Sequence, residues 1–173
     1  LSDDVTVYDD TTPNELLERI RDAAVVVTKE MPVGGDLIRQ FPNSVKLLCE
    51  AGTGYNNLDV SAAREMGITV CNIPAYSSNR VAHTAIMMLL NLSSSMQVQM
   101  KMLAHGNHDN FTKSLQVNHV EVNEKTLGII GAGNIGREVI KIAQALDMKI
   151  LVYTRTPRED TSSIRYVDLP TLL

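Results

Sequence analysis

Short apolar runs recur along the chain. Each is followed by a stretch in which apolar residues return every three or four positions, so the pattern alternates between strand and helix periods. Residues 23–27, 45–49, 68–71, 126–130 and 149–153 read as strands, with a shorter run at 5–8 and a last one at 165–167. The run at 23–27 is wholly apolar, which predicts a strand covered on both faces. Strands that alternate with helices at this spacing predict a layered α/β fold with mostly parallel sheets.

Polar residues punctuate the pattern where helices begin and end. Thr12 is a predicted N-cap, with Pro13 at the first helical position and Glu15 closing a capping box; Leu16, Leu17 and Ile20 form the apolar face. Asp36 is placed to cap a short helix carrying Leu37, Ile38 and Phe41, and Asp59 to cap residues 60–66, with Gly67 ending that helix. A long helical pattern covers residues 79–105, with Gly106 as its stop. At ~1.5 Å per residue it reaches roughly 40 Å, enough to link two domains. Its methionines read as core or interface filler. Residues 107–123 are polar and aperiodic, and read as a linker. A further helix is predicted over residues 134–146, with Ile135, Val139, Ile140, Ala143 and Leu146 at helical spacing, and Asp168 caps one beginning at Leu169. The expected organisation is a first domain over residues 1–78, a linking helix over 79–106, and the start of a second domain over 107–173.

Composition narrows the classes. The chain has 173 residues, 44% hydrophobic, with net charge −4, which argues against a nucleic-acid-binding surface. No apolar run approaches the ~18 residues of a membrane span, so no membrane partner is expected. The start, Leu1-Ser2-Asp3-Asp4, has neither a basic end nor an apolar stretch, so no signal peptide is expected. Cys49 and Cys71 fall in strand-like runs and read as small buried hydrophobes; with no metal spacing, they fit a reducing compartment such as the cytoplasm. His105, His108 and His119 have no partner at ligand spacing and no nucleophile constellation around them, and read as solvated or locally bonded.

The chemistry concentrates at residues 126–136. A strand pattern ends in Gly131-Ala132-Gly133-Asn134-Ile135-Gly136 and a helix pattern follows at once. Gly131 suits the tight turn, Gly133 lets a pyrophosphate approach the backbone, and Gly136 lets helix and strand pack closely. Free N–H groups at such a helix start, with the helix dipole, attract an anion. The bland alternative is a glycine-rich turn. Arg137 adds charge nearby. About 20 positions on, where an acidic residue would bond a ribose hydroxyl, stand Thr154 and Arg155, with Arg158 following. A hydroxyl and guanidinium groups accept a 2′-phosphate that a carboxylate would repel, which favours NADP(H) over NAD(H). On a second loop, Thr53 and Gly54 are placed so that their backbone N–H groups hold a small carboxylate. An ordinary strand-to-helix turn remains the alternative there.

Four segments together resemble the D-isomer-specific 2-hydroxyacid dehydrogenases: residues 51–59 (AGTGYNNLD), 70–77 (VCNIPAYS), 81–84 (VAHT) and 125–137 (KTLGIIGAGNIGR). The resemblance runs over nearly the whole chain. It implies a flavodoxin-like substrate domain joined by a long helix to a partial Rossmann domain, a doubly wound parallel sheet that binds NAD(P)(H). It implies the substrate carboxylate at Thr53 and Gly54, the pyrophosphate at Asn134 and Ile135, and Val81 near the nicotinamide. The reaction implied is reversible hydride transfer between the cofactor and the 2-carbon of a small 2-oxo or 2-hydroxy acid, in a homodimer.

Two departures stand out. His83 occupies the place where family members often carry Glu or Gln. The family's catalytic arginine, carboxylate and histidine fall after Leu173, and its opening strand falls before Leu1. The chain is therefore expected to be part of a longer protein of ~310–330 residues, a size that suits two domains. Alone it is expected to bind dinucleotide poorly and to turn over no 2-oxo acid. A non-enzymatic, dinucleotide-sensing module of the same fold is the alternative; a methyltransferase of Rossmann type fits the 125–137 block less well.

Overall fold

A computed structural model describes residues 3–173. Leu1 and Ser2, part of the start read above for a leader, lie outside the described residues. The chain divides into two compact units, Leu1–Tyr76 and Ser77–Leu173.

In the first unit the order is α1 (Pro13–Arg19), β1 (Val25–Thr28), α2 (Gly35–Ile38), β2 (Leu47–Glu50), α3 (Val60–Glu65) and β3 (Thr69–Cys71). The strands form a parallel sheet in the order β1-β2-β3, with Val26 beside Leu48 and Leu48 beside Val70. The helices bury Leu16, Ile20, Ile38, Ala62 and Ala63 against Val26 and Leu48. The cap at Thr12 closes as predicted: its Oγ1 accepts from the Glu15 N–H, and the Glu15 carboxylate accepts from the Thr12 N–H at 2.8 Å. Asp59 accepts from the Ala62 N–H and so caps α3.

Four expectations change here. Residues 5–8 form no strand. No described segment pairs with them, Val5 and Val7 are exposed, and the Arg19 guanidinium lies 4.2 Å from the centre of the Tyr8 ring. β1 is covered on one face only: Val26 and Thr28 are buried while Val25 and Val27 are 52% and 64% exposed. An apolar run marks burial potential, but cover needs a second layer, and the described helices of this unit fill one face. Asp36 caps nothing, because α2 starts earlier, with Gly34 in the cap position and Asp36 in the first turn. The cysteines also differ from the expectation. They are aligned neighbours on β2 and β3, Cys49 half-buried and Cys71 exposed, both free, because their side chains share the uncovered face.

The second unit runs α4 (Ser78–Ser93), α5 (Met96–Ala104), α6 (Asp109–Thr112), β4 (Thr126–Ile130), α7 (Asn134–Ala145), β5 (Lys149–Tyr153), β6 (Ile164–Tyr166) and α8 (Leu169–Leu172). Its parallel sheet has the order β4-β5-β6. Ile140, Ala143, Met148, Ile150 and Val152 form one buried cluster, and Ala82 and Ile86 of α4 meet Val139 of α7 in another.

The long helix expected over 79–105 is two helices. Ser94 caps α4, and Ser95 takes a left-handed conformation (φ +52°). Three consecutive serines offer side-chain oxygens that compete with the helical ladder. Ser94 Oγ donates to the Leu90 carbonyl at 2.6 Å and Ser95 Oγ to the Asn118 carbonyl at 2.6 Å. The segment read as a plain linker thus bonds the break, and Val120 N–H adds a bond to the Ser93 carbonyl. It also holds α6 and the buried Asn110, which accepts from the Gln116 N–H and donates to Gln99. Among the described residues no helix is long and apolar enough to cross a membrane.

Candidate dinucleotide and substrate-carboxylate sites

β4 ends at Ile130, and the chain turns at Gly131 with φ +91°, a conformation that disfavours any side chain. The Gly131 N–H donates to the Tyr153 carbonyl at 2.8 Å, so the carboxyl ends of β4 and β5 stand side by side. α7 begins at Asn134, with Gly133 as its N-cap and no side chain capping it. The N–H groups of Gly133, Asn134 and Ile135 donate to no acceptor among the described residues. A Cβ on Gly131 or Gly133 would meet open space, whereas one on Gly136 would collide with the Gly131 carbonyl. Gly136 is therefore the close-packing glycine and Gly133 faces the gap. The abrupt bend is present, and no side chain occupies the space beside Gly133.

Arg137 folds over the helix start, donating to Asn134 Oδ1 at 2.6 Å and to the Ala132 carbonyl at 3.4 Å. Thr154, half-buried, and the exposed Arg155 and Arg158 follow β5, and no ion pair among the described residues takes either arginine. A cavity of about 380 Å³ lies between α4, β4 and α7, lined by apolar residues that include Ala85, Ile86, Ile130, Ile135 and Val139. Val81 lies one turn before Ala85 on α4 and is 44% exposed.

Thr53 and Gly54 sit in the first unit, exposed on the loop after β2. Their N–H groups meet no acceptor among the described residues. Thr53 is held in place by two side-chain bonds: its Oγ1 donates to the Ile73 carbonyl at 3.1 Å, and Asn72 Nδ2 donates to its carbonyl at 2.8 Å. Asn72 was not singled out in the sequence, because an asparagine just after a strand carries no local mark of what it bonds. Among the described residues no group of three His, Cys, Asp or Glu side chains stands at metal-binding distance.

A glycine turn from a parallel strand into an uncapped helix, in one of two parallel three-stranded sheets, is the arrangement of the class of two-domain α/β dinucleotide-binding proteins. The sequence goes further: residues 1–164 match the D-isomer specific 2-hydroxyacid dehydrogenase catalytic domain, and the chain belongs to that family. It is 35% identical to a hydroxypyruvate reductase of Blautia hydrogenotrophica, over 96% of this chain and 54% of the relative. Among solved structures it is similar to a D-lactate dehydrogenase of Aquifex aeolicus in complex with NAD and lactic acid (TM-score 0.81, 28% identity, 94% of this chain and 47% of that one). It is also similar to an acyclic imino acid reductase in complex with NADPH and D-Arg (TM-score 0.84, 25% identity, 96% of this chain and 52% of that one). The chain spans about half the length of the curated relatives it matches. The fold is the expected one, a flavodoxin-like unit and a Rossmann-like unit with parallel sheets.

Proposed function

We propose that this chain is the greater part of the substrate domain and the opening part of the dinucleotide domain of a 2-oxoacid reductase using NAD(P)H. The observation that carries the reading is the β4–α7 turn, where three N–H groups without an acceptor among the described residues stand at an open gap beside Gly133. A pyrophosphate fits there: Gly133 removes the obstructing Cβ, Asn134 and Ile135 donate from the backbone, and the dipole of α7 favours its charge. The names of the similar proteins, which act on hydroxypyruvate or bind lactic acid with NAD, support the substrate class. When bound, the reduced nicotinamide supplies a hydride to the 2-carbon of the oxo acid. The chain's own residues orient the reactants: Thr53 and Gly54 hold the substrate carboxylate by N–H donation, and Val81 presents an apolar wall to the nicotinamide. The proton that completes the hydroxyl comes from a general acid, a role that the family resemblance gives to a histidine.

Thr154, Arg155 and Arg158 support a preference for NADP(H): a hydroxyl and two guanidinium groups with no ion pair among the described residues follow β5 where a ribose phosphate would lie. Homodimerisation of the full protein is supported by Met87, Met88, Leu92, Met96 and Met100, all exposed on α4 and α5. The test is titration of the full-length protein with both reduced cofactors, then assay with glyoxylate, pyruvate and hydroxypyruvate. NADPH should bind more tightly, and cofactor oxidation should depend on the oxo acid. Tighter NADH binding ends the phosphate reading. Retained dinucleotide binding without turnover favours a sensing module.

A further inference from the structure

Glu50, the last residue of β2, is 1% exposed, and none of the ion pairs among the described residues includes it. A carboxylate buried without a cation needs hydrogen-bond donors to offset its lost hydration. It has three. Oε1 accepts from the Glu30 N–H at 2.9 Å, and Oε2 accepts from Asn57 Nδ2 at 2.8 Å and from Thr28 Oγ1 at 3.3 Å. These donors come from the end of β1, from the loop after it, and from the far end of the loop after β2. Glu30 is itself left-handed, with φ +58°. Asn57 uses its other amide hydrogen on the Met31 carbonyl at 2.8 Å, and its own carbonyl accepts from the Val33 N–H.

Glu50 and Asn57 stand at the two ends of the segment that carries Thr53 and Gly54. Their bond closes this segment into a ring fastened on a buried point. Gly52 leaves room for the carboxylate, since a Cβ there would approach Oε1 to 3.1 Å. The ring's tip is fastened separately, through Asn72 and Ile73. We infer that Glu50 is a positioning residue: by accepting from Asn57 and Glu30 it holds the 51–57 loop in the shape that presents the Thr53 and Gly54 N–H groups to a carboxylate. Glu50 is too deeply buried to touch the substrate. The inference rests on the substrate assignment proposed above for Thr53 and Gly54.

Glutamine is the discriminating replacement. It keeps one acceptor, but its amide must then point a donor at the Glu30 N–H or at Asn57 Nδ2. Asn57 cannot turn over to receive it without losing its bond to Met31. In the full-length protein, Glu50→Gln should speed amide exchange at residues 52–54 by about tenfold and weaken oxamate, a 2-oxo acid mimic, by on the order of tenfold. The dissociation constant for reduced dinucleotide should stay within about twofold, and KM should move more than kcat. Asn57→Ser, which removes the bond that closes the ring, should reproduce the same pattern and serves where Glu50→Gln does not fold. Unchanged exchange and unchanged oxamate affinity in both variants overturn the inference. If the unsubstituted protein binds no oxamate, the substrate assignment falls; the exchange measurement then still decides whether Glu50 sets the loop.

Discussion

Gly136 has no room for a methyl group, and Gly133 has nothing but room. The two glycines should therefore answer alanine in opposite ways. Gly136→Ala drives Cβ into the Gly131 carbonyl; it should destabilise the second unit by about 1–3 kcal/mol, the usual cost of overpacking, read from denaturant midpoints. Gly133→Ala should cost less than about 1 kcal/mol, as a change of cap residue, yet weaken reduced-dinucleotide binding by at least about tenfold, read by fluorescence titration. Unchanged dinucleotide affinity in Gly133→Ala would mean that the gap beside Gly133 has no ligand role. The cysteines offer a second residue-scale test. Cys71 is exposed, while burial pushes the Cys49 thiol up and the neighbouring Cys71 adds to it. Cys71 should alkylate well before Cys49 at neutral pH, because the thiolate is the reactive form; peptide mass spectrometry after limited iodoacetamide treatment gives the order. The turn at Gly131 and the close packing at Gly136 were legible from spacing, since each answers a local backbone demand. The exposure of Cys71 was not, because it depends on which face of the sheet is covered.

The helices were legible where a polar residue satisfies a backbone donor within its own turn. Thr12, Asp59 and Asp168 all cap as their sequence context predicts. Asp59→Ala should cost about 1 kcal/mol, as for other aspartate caps, detectable as a shift in thermal midpoint. The caps also carry a pH signature. Donation from the Thr12 hydroxyl, and then from its N–H, holds the Glu15 carboxyl below its ordinary value of 4.5. A depressed carboxyl contributes stability that is present above the ordinary value and is lost as pH falls through the depressed one. Thr12→Ala should therefore flatten the acid side of the stability profile and leave its neutral side parallel; the effect is small because Glu15 is solvated. Stability rising toward low pH in the unsubstituted chain would contradict that sign. Residues 79–105 carry the pattern of one helix because helical spacing persists through residues 93–95, yet they fold as two. The break depends on Asn118 and Val120, which meet the serines only after folding.

At the scale of the whole molecule, the first unit has its own core around Leu48, and the second has its own around Ile140, Ile150 and Val152. Leu48→Ala, at a fully buried position, should cost about 2–5 kcal/mol and speed amide exchange across residues 25–71 while leaving residues 126–153 unchanged. Equal acceleration in both units would show a single cooperative body. By itself the sequence determined the strands of both sheets, the caps at Thr12, Asp59 and Asp168, the glycine turn at 131–136 and the family they belong to, because each rests on contacts within a few residues or on a fixed local spacing. Only the tertiary structure decided that Val25 and Val27 lie uncovered, that residues 5–8 pair with nothing described, and that Glu50 sits buried between two loops. Those outcomes depend on groups distant in sequence: a covering layer, a partner strand, a donor from Glu30 and another from Asn57. No local pattern records whether such a partner arrives.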